Sequence, residues 1–540
     1  MQAFSLRTLD RAVIAACLGL GGFGAAQGQV IPNVPRAPLP AASAASGPQA
    51  QLPPPNTYVV PSVAVLATQT SNANYGVSSH SRSDTVLQVM PNIFLGSSHA
   101  RWQVLGDFSL NGTYYVNGVR PNVVAPYGSG SLHSELVDQF VYFDASVVSQ
   151  QQSISPYVGQ GGPVQGSTYT STQWRISPYI DRLLTPSLRL RARSDDTWTR
   201  VSNSPSSGML SGGRYLDQTI RLDQLPQNWG YTLAAQQTYA TYDGEPYAWL
   251  RDTTFRGILN YALTTQWVVG VIGGHEKVQA QGANDTAGIY GLRTAWSPSP
   301  LEAVDATVEH RYFGTGWSLL AHAGSPQLSL SASWIRQPTS YLAPLGGNTA
   351  GRTAGNVATL LSSLLTTQYT NPVQRAAAVQ SLLGSAGLPA SLTTAGGFYT
   401  SSSVLQNELV VTGLWMRPRD SVAVSVYRNR IEDLFLPGQQ LLQLLQSVSN
   451  DNVQTGVAIN YGHRLTPVDN MNLTLQREND IGFGLRQGQS AHQTAVILQL
   501  DHRFSPRTTG LVGVRRRFLV STQVGNGNET GVFAGLVHRF

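Results

Sequence analysis

Asp305, Glu309 and Arg311 share parity, so on an extended chain two carboxyl groups and a guanidinium project from one face. A carboxyl pair beside a cation could serve acid–base hydrolysis, but the same residues also make a charged ladder on the wet face of a sheet, which is the commoner arrangement. Asp195 and Asp196 form a second pair, and as neighbours they point to opposite faces unless a bulge intervenes. Arg189, Arg191 and Arg193 alternate with Leu188, Leu190 and Ala192, which aims three cations one way and three apolar groups the other. Of Arg515, Arg516 and Arg517, two share a face and Arg516 takes the other, where mid-depth contact with lipid would cost about 2 to 4 kcal/mol.

No fuller catalytic set is present. HExxH, GxSxG and Walker spacings are absent, and the 10 histidines are dispersed among separate segments. Gly19, Gly21 and Gly24 make a GxGxxG, yet no strand precedes them and no βαβ unit follows. These features predict a protein that is not an enzyme, with no catalytic, cofactor-binding or metal-ligating residues.

The elements that would carry the charged rows begin after a leader. Arg7 and Arg11 precede an apolar run from Ala12 to Ala26, shorter than a membrane-spanning helix requires, so residues 1–28 read as a secretory signal cut near Ala26 or Gly28. Ile14-Ala15-Ala16-Cys17 resembles a lipobox, but too few apolar residues precede it. Cys17 is the only cysteine, and its loss with the signal would exclude disulfides and thiolate sites together. Residues 29–56 are Pro-, Ala- and Ser-rich and read as a disordered linker.

Charged residues make up 12% of the chain, half the globular norm of about 25%, while glycines number 53. No run of 18 apolar residues follows the leader, which argues against membrane helices. A net charge of +6 without basic runs argues against nucleic acid as a partner.

From Thr57 to Phe540 the dominant period is two. Leu328, Leu330, Ala332 and Trp334 alternate with Ser329, Ser331 and Ser333; Val453, Thr455, Val457, Ile459 and Tyr461 alternate with Gln454, Gly456, Ala458 and Asn460. Trp102, Val104, Phe108 and Leu110 alternate with Gln103, Asp107 and Ser109. A looser run sets Val137, Val141, Phe143, Ala145 and Val147 against Asp138, Asp144 and Ser146, with Gln139, Phe140 and Tyr142 as exceptions. A soluble sandwich would carry many Lys and Glu on its wet face. Here that face carries Ser, Thr, Gln, Asn, Gly and scattered Arg, as a water-filled lumen does. Open sheet edges are not tolerated in lipid, so the strands must close. The reading is an all-β transmembrane antiparallel β-barrel in the cell outer membrane, with an even count of about 16 to 20 strands drawn from about 21 alternating segments. Arg189, Arg191, Arg193 and Arg311 are the lumen-facing candidates.

The last segment alternates Val532, Ala534, Leu536, His538 and Phe540, with His538 breaking the apolar series. It looks like the terminal signature that the outer-membrane barrel assembly machinery recognises, which makes Phe540 the candidate assembly signal. Residues 346–397 depart from the strand period: Val357 to Leu365 and Pro372 to Leu383 have helical spacing, and Asn371-Pro372 is a helix-start pair. An insertion of this length is either folded inward as a constriction or plug, or lies passively on the surface.

Ser83-Asp84-Thr85, Pro91-Asn92-Ile93 and Asp107-Phe108-Ser109-Leu110, then Phe140 to Ala145 running into Ser149-Gln150-Gln151, and Arg311-Tyr312-Phe313-Gly314 before Trp317-Ser318-Leu319 resemble an outer-membrane β-barrel family associated with the PEP-CTERM and exosortase system. The helical insertion with Pro372 and Arg375 matches in style and order, and the resemblance covers most of residues 57 to 540. Ser71-Asn72-Ala73-Asn74 replaces an acidic pair usual near that family's first strand. The resemblance implies an exopolysaccharide locus and supplies no mechanism. Three functions stay open: a conduit that passes or helps secrete polysaccharide, a structural or anchoring barrel whose lumen the insertion fills, and a general porin. The expected partners are outer-membrane lipid, the assembly machinery and polysaccharide.

Overall fold

In the computed structural model, residues 56–540 are described except 75–80, 159–167, 203–211, 344–356, 393–402, 437–449 and single positions 227, 244, 281, 300, 326, 367, 387, 391 and 435. The segments expected to be a signal and, but for Asn56, a linker lie outside the described residues.

Val, Ile, Tyr, Trp and Thr at every second position favour a pleated chain with one lipid-compatible face, and the described residues form 22 strands. They are β1 (Thr57–Thr70), β2 (Asp84–Ser98), β3 (Trp102–Tyr115), β4 (Val123–Val137), β5 (Val141–Ser153), β6 (Thr168–Leu183), β7 (Leu188–Ser202) and β8 (Gly213–Gln224). β9 (Trp229–Tyr242), β10 (Glu245–Ala262), β11 (Trp267–Ala280), β12 (Ala283–Ser299), β13 (Glu302–Arg311), β14 (Gly314–Gly324) and β15 (Leu328–Thr339) follow. Then come α1 (Val357–Leu364), α2 (Pro372–Ala386), β16 (Val404–Met416), β17 (Asp420–Asp433), β18 (Asn452–Arg464), β19 (Asp469–Gly482), β20 (Ser490–Ser505), β21 (Thr508–Ser521) and β22 (Gly525–Arg539).

Each strand pairs antiparallel with the next, and β1 pairs with β22 from Ser62↔Arg539 to Thr70↔Gly531, which closes the sheet. The outward face is apolar, with Val59, Val65, Leu292 and Val532 exposed, while Thr68, Thr412, Ser425, Gln454 and Gln499 are buried on the inward face. At the end holding both Thr57 and Arg539, Trp102, Trp229, Trp267, Trp296 and Phe504 are exposed and form an aromatic girdle. The turns at this end are short, as at 99–101 and 417–419, which marks it as periplasmic. A closed, tilted sheet with an apolar exterior and wet interior is stable only across a bilayer. The chain is an outer-membrane β-barrel.

The strand count exceeds the sequence-based range, and the strand that leaves no alternating segment is β4. It reads VVAPYGSGSLHSELV, where Pro126, Gly128 and Gly130 erase the apolar alternation. Gly128 has φ +148°, and a Cβ there would lie 2.2 Å from the Asp107 carbonyl oxygen, so only glycine lets β3 and β4 approach. The run read across Val137 to Val147 is in fact interrupted by a turn at 138–140, where Gln139 has φ +49°. That turn explains the parity exceptions at Gln139 and Phe140. His538 also has a place: it faces outward at the periplasmic rim, its Nδ1 2.9 Å from Thr508 Oγ1 and its ring 5.0 Å from that of Phe540.

Candidate functional site in the lumen

A 22-stranded barrel is too wide for wall side chains to meet across it. Of the segment between β15 and β16, the described residues of α1 and α2 pack against the inner face of the wall. Asn371 caps α2, its Oδ1 accepting from the amides of Val373 at 2.9 Å and Gln374 at 3.4 Å. Val373 and Ala377 then pack on Tyr58, Val60, Phe94 and Leu105, all on the inward face near the periplasmic end of β1, β2 and β3. Leu360, Leu361 and Leu383 pack on Leu414, Ala423 and Ala458 of β16, β17 and β18. Polar ties complete the dock: Ser421 Oγ donates to Ala386 O at 3.0 Å, and Asn371 Nδ2 donates to Ser98 Oγ at 3.2 Å. The two helices are joined through Arg375, which donates from Nε to Ser362 Oγ at 3.1 Å and from Nη1 to Tyr369 O at 2.9 Å. Burial lowers the Arg375 pKa from its ordinary value. The two helices of the insertion, hereafter the plug, sit against β1–β3 and β15–β18.

Segments cross the outer mouth as well. After β15, Tyr341 and Leu342 pack with Tyr169 and Tyr242, and Gln173 Nε2 on β6 donates to Tyr341 O at 3.3 Å. Leu436, beyond β17, packs on Val278, Ala280 and Ala283 of β11 and β12. Tyr157, between β5 and β6, reaches the far rim, where its hydroxyl donates to Asp451 O at 3.3 Å and Ser521 Oγ donates to Tyr157 O at 2.5 Å. Burial pushes the Tyr157 phenol up to about 12, so it remains a donor at neutral pH.

Across the lumen from the plug, the wall of β5–β13 is charged. Arg189 forks onto Asp181 at 2.6 and 2.5 Å, Arg191 Nε lies 3.6 Å from Asp181, and Arg193 bridges Asp195 at 2.9 Å and Asp144 at 3.0 Å. Arg311 is enclosed by Glu276 at 2.7 Å, Asp252 at 3.0 Å and Glu309 at 3.4 Å, with Glu276 fully buried. All four arginine candidates therefore line one lumenal wall. Asp305 is held by Arg293 at 2.6 Å and Glu309 by Arg256 at 2.8 Å, so each carboxylate has its own guanidinium and the pair does not converge. Asp195 faces the lumen, while Asp196 takes the opposite face and pairs with Arg214 at 2.5 Å. Arg515 and Arg517 face inward to Glu529 at 2.7 and 3.6 Å, and Arg516 faces outward over the Phe518 ring. Among the described residues no three His, Cys, Asp or Glu side chains group as metal ligands.

The sequence reading missed an aromatic row on the same wall. His133, Tyr142 and Tyr179 stack in series at 6.0 and 5.0 Å on β4, β5 and β6, and the Arg193 guanidinium lies 4.8 Å from the Tyr179 ring. Tyr142 had stood out only as a parity exception. Its even number shared with Asp144 was the available signal.

No protein-family model matches the chain, and no curated protein does. Solved structures to which it is similar include the siderophore receptors PiuA and PirA of Acinetobacter baumannii. PiuA has a TM-score of 0.45 at 6% identity, covering 91% of this chain and 82% of that one; PirA has 0.39 at 10%, covering 91% and 81%. The ferric enterobactin receptor of Pseudomonas aeruginosa, as a mutant in complex with enterobactin, has 0.43 at 9%, covering 89% and 81%.

Proposed function

We propose that this barrel is a gated conduit for a hydroxyl-rich, acidic polymer, in the exopolysaccharide context that the resemblance to the PEP-CTERM and exosortase-associated family implies. The observation that carries the reading is the opposition of plug and wall: the plug takes the β1–β3 and β15–β18 side, and the facing wall bears the His133–Tyr142–Tyr179 row with Arg193 at its end. Stacked aromatic faces suit the apolar faces of sugar rings, and guanidinium groups that share their charge with Asp144, Asp181 and Asp195 can trade those partners for uronate or other acidic substituents. The crossing segments at the mouth and the docked helices describe the closed state.

Planar-bilayer recordings of the intact chain and of a variant lacking residues 350–392 test it. The intact chain should be nearly silent with rare openings. The deletion should conduct steadily, and acidic oligosaccharides added to the bath should block its current. Steady current that such oligosaccharides do not block would favour a general porin, and silence after the deletion would favour an anchoring barrel.

A further inference from the structure

The outward face carries a regularity unrelated to the lumen. In six successive ascending strands, β11, β13, β15, β17, β19 and β21, the ninth residue faces outward and is basic or imidazole: His275, His310, Arg336, Arg428, Arg477 and Arg516. The descending neighbour places a small or polar residue opposite each one: Gly288, Thr315, Asn407, Thr455, Thr494 and Thr530. The other ascending strands have Val65, Leu110, Ser149, Asp196 and Gln237 at the same step, so the row covers one side of the barrel only.

Its height follows from strand geometry. Eight residues at about 3.3 Å each, tilted by about 40°, climb about 20 Å from the periplasmic rim, close to the outer boundary of an apolar band about 25 Å tall. Arg428 and Arg477 are exposed there, and neither has a carboxylate within ion-pair distance among the described residues. Arg516 lies 4.8 Å over the Phe518 ring and donates to Thr530 Oγ1, and Arg336 lies 5.4 Å over Trp317. The periplasmic rim of the same strands carries both signs, with Asp420 beside His463 at 2.8 Å, Asp469 beside His502 at 2.6 Å, and Arg417, Arg419, Arg464, Arg503 and Arg507 in or beside its turns. Guanidinium groups at a lipid boundary with no carboxylate beside them need anions, and at the height of this row those are anions of the outer leaflet. Row members stand two strands, about 10 Å, apart, so adjacent cations can meet one sugar-phosphate headgroup.

We infer that this row is a binding belt for a phosphorylated glycolipid of the outer leaflet, its phosphates held by Arg336, Arg428, Arg477 and Arg516. The test uses the full-length barrel in detergent with bisphosphorylated lipid A, dephosphorylated lipid A or inorganic phosphate, reading lipid retained per barrel after gel filtration. Bisphosphorylated lipid A should be retained, should be lost as salt rises, and should exceed the dephosphorylated form at least tenfold. The variant R336Q/R428Q/R477Q/R516Q should retain it at least tenfold less while keeping its heat-modifiable gel shift. If that variant does not fold, R428Q/R477Q alone should give at least a threefold loss. Equal retention by folded variant and wild type, equal retention of the two lipid forms, or full displacement by inorganic phosphate would overturn the glycolipid assignment.

Discussion

The Tyr58 hydroxyl donates to the Val373 carbonyl oxygen at 3.4 Å, linking the first strand to a plug helix 315 residues later. The bond is long, so most of the contact is the Tyr58 ring, stacked on Phe94 at 5.1 Å and covered by Val373 and Ala377.

Tyr58→Phe should therefore change little, about 1 kcal/mol or less. Tyr58→Ala should remove about 3 kcal/mol or more of plug docking and raise open probability by roughly a hundredfold, since each 1.4 kcal/mol is tenfold. Single-channel recording measures it. The barrel itself should keep its heat-modifiable migration, because no strand pairing is touched.

Tyr142→Ala and Tyr179→Ala should weaken block of the plug-deleted channel by acidic oligosaccharides, each by about three- to tenfold, in line with about 0.5–1.5 kcal/mol per aromatic stack. Unblocked conductance should stay within twofold. Titrating oligosaccharide against current separates the two quantities.

Arg311→Met should strand Glu276, which is fully buried beside Asp252 and Glu309, and cost about 3–5 kcal/mol. The yield of folded barrel after refolding should drop, and R311M/E276Q should recover much of it. Where R311M does assemble, the excess of carboxylates should shift reversal potentials toward cation selectivity.

Arg375→Ala should leave α1 and α2 each seated on the wall but no longer joined through Ser362 and Tyr369. Protease cleavage near residues 365–371 should quicken, with a smaller rise in conductance than the full deletion gives. Limited proteolysis followed by mass spectrometry reads the site and rate.

Most of the architecture was legible because lipid acts as a filter on alternate residues. Leu328 to Trp334 and Val453 to Tyr461 must be apolar outside, whatever lies within. β4 was not legible, since close packing of Gly128 on Asp107 needs a missing side chain and leaves no alternation to read. Parity told which face Arg189, Arg191, Arg193 and Arg311 share. It could not name Asp181, Asp144 or Glu276 as partners, because cross-strand register is set by turns such as the one at 138–140. The helices of the insertion were visible in their spacing and in Asn371-Pro372, but helical spacing gives a face and not the surface it meets. Tyr142 and Tyr179 lie 37 residues apart in sequence and become a stack only through the β5–β6 pairing.

The plug's docking surface also sets an order of events during biogenesis. α2 touches β1–β3 on one side, and with α1 it touches β16–β18 on the other; these two strand groups become neighbours across the wall only after β22 has met β1. Before that closure, half of the plug's apolar partners are held on an open edge far along the chain, and gathering them carries a large entropic cost. Seating of the plug is therefore a late event, and the barrel passes through a closed but unplugged stage whose lumen is at its widest just after the seam zips shut.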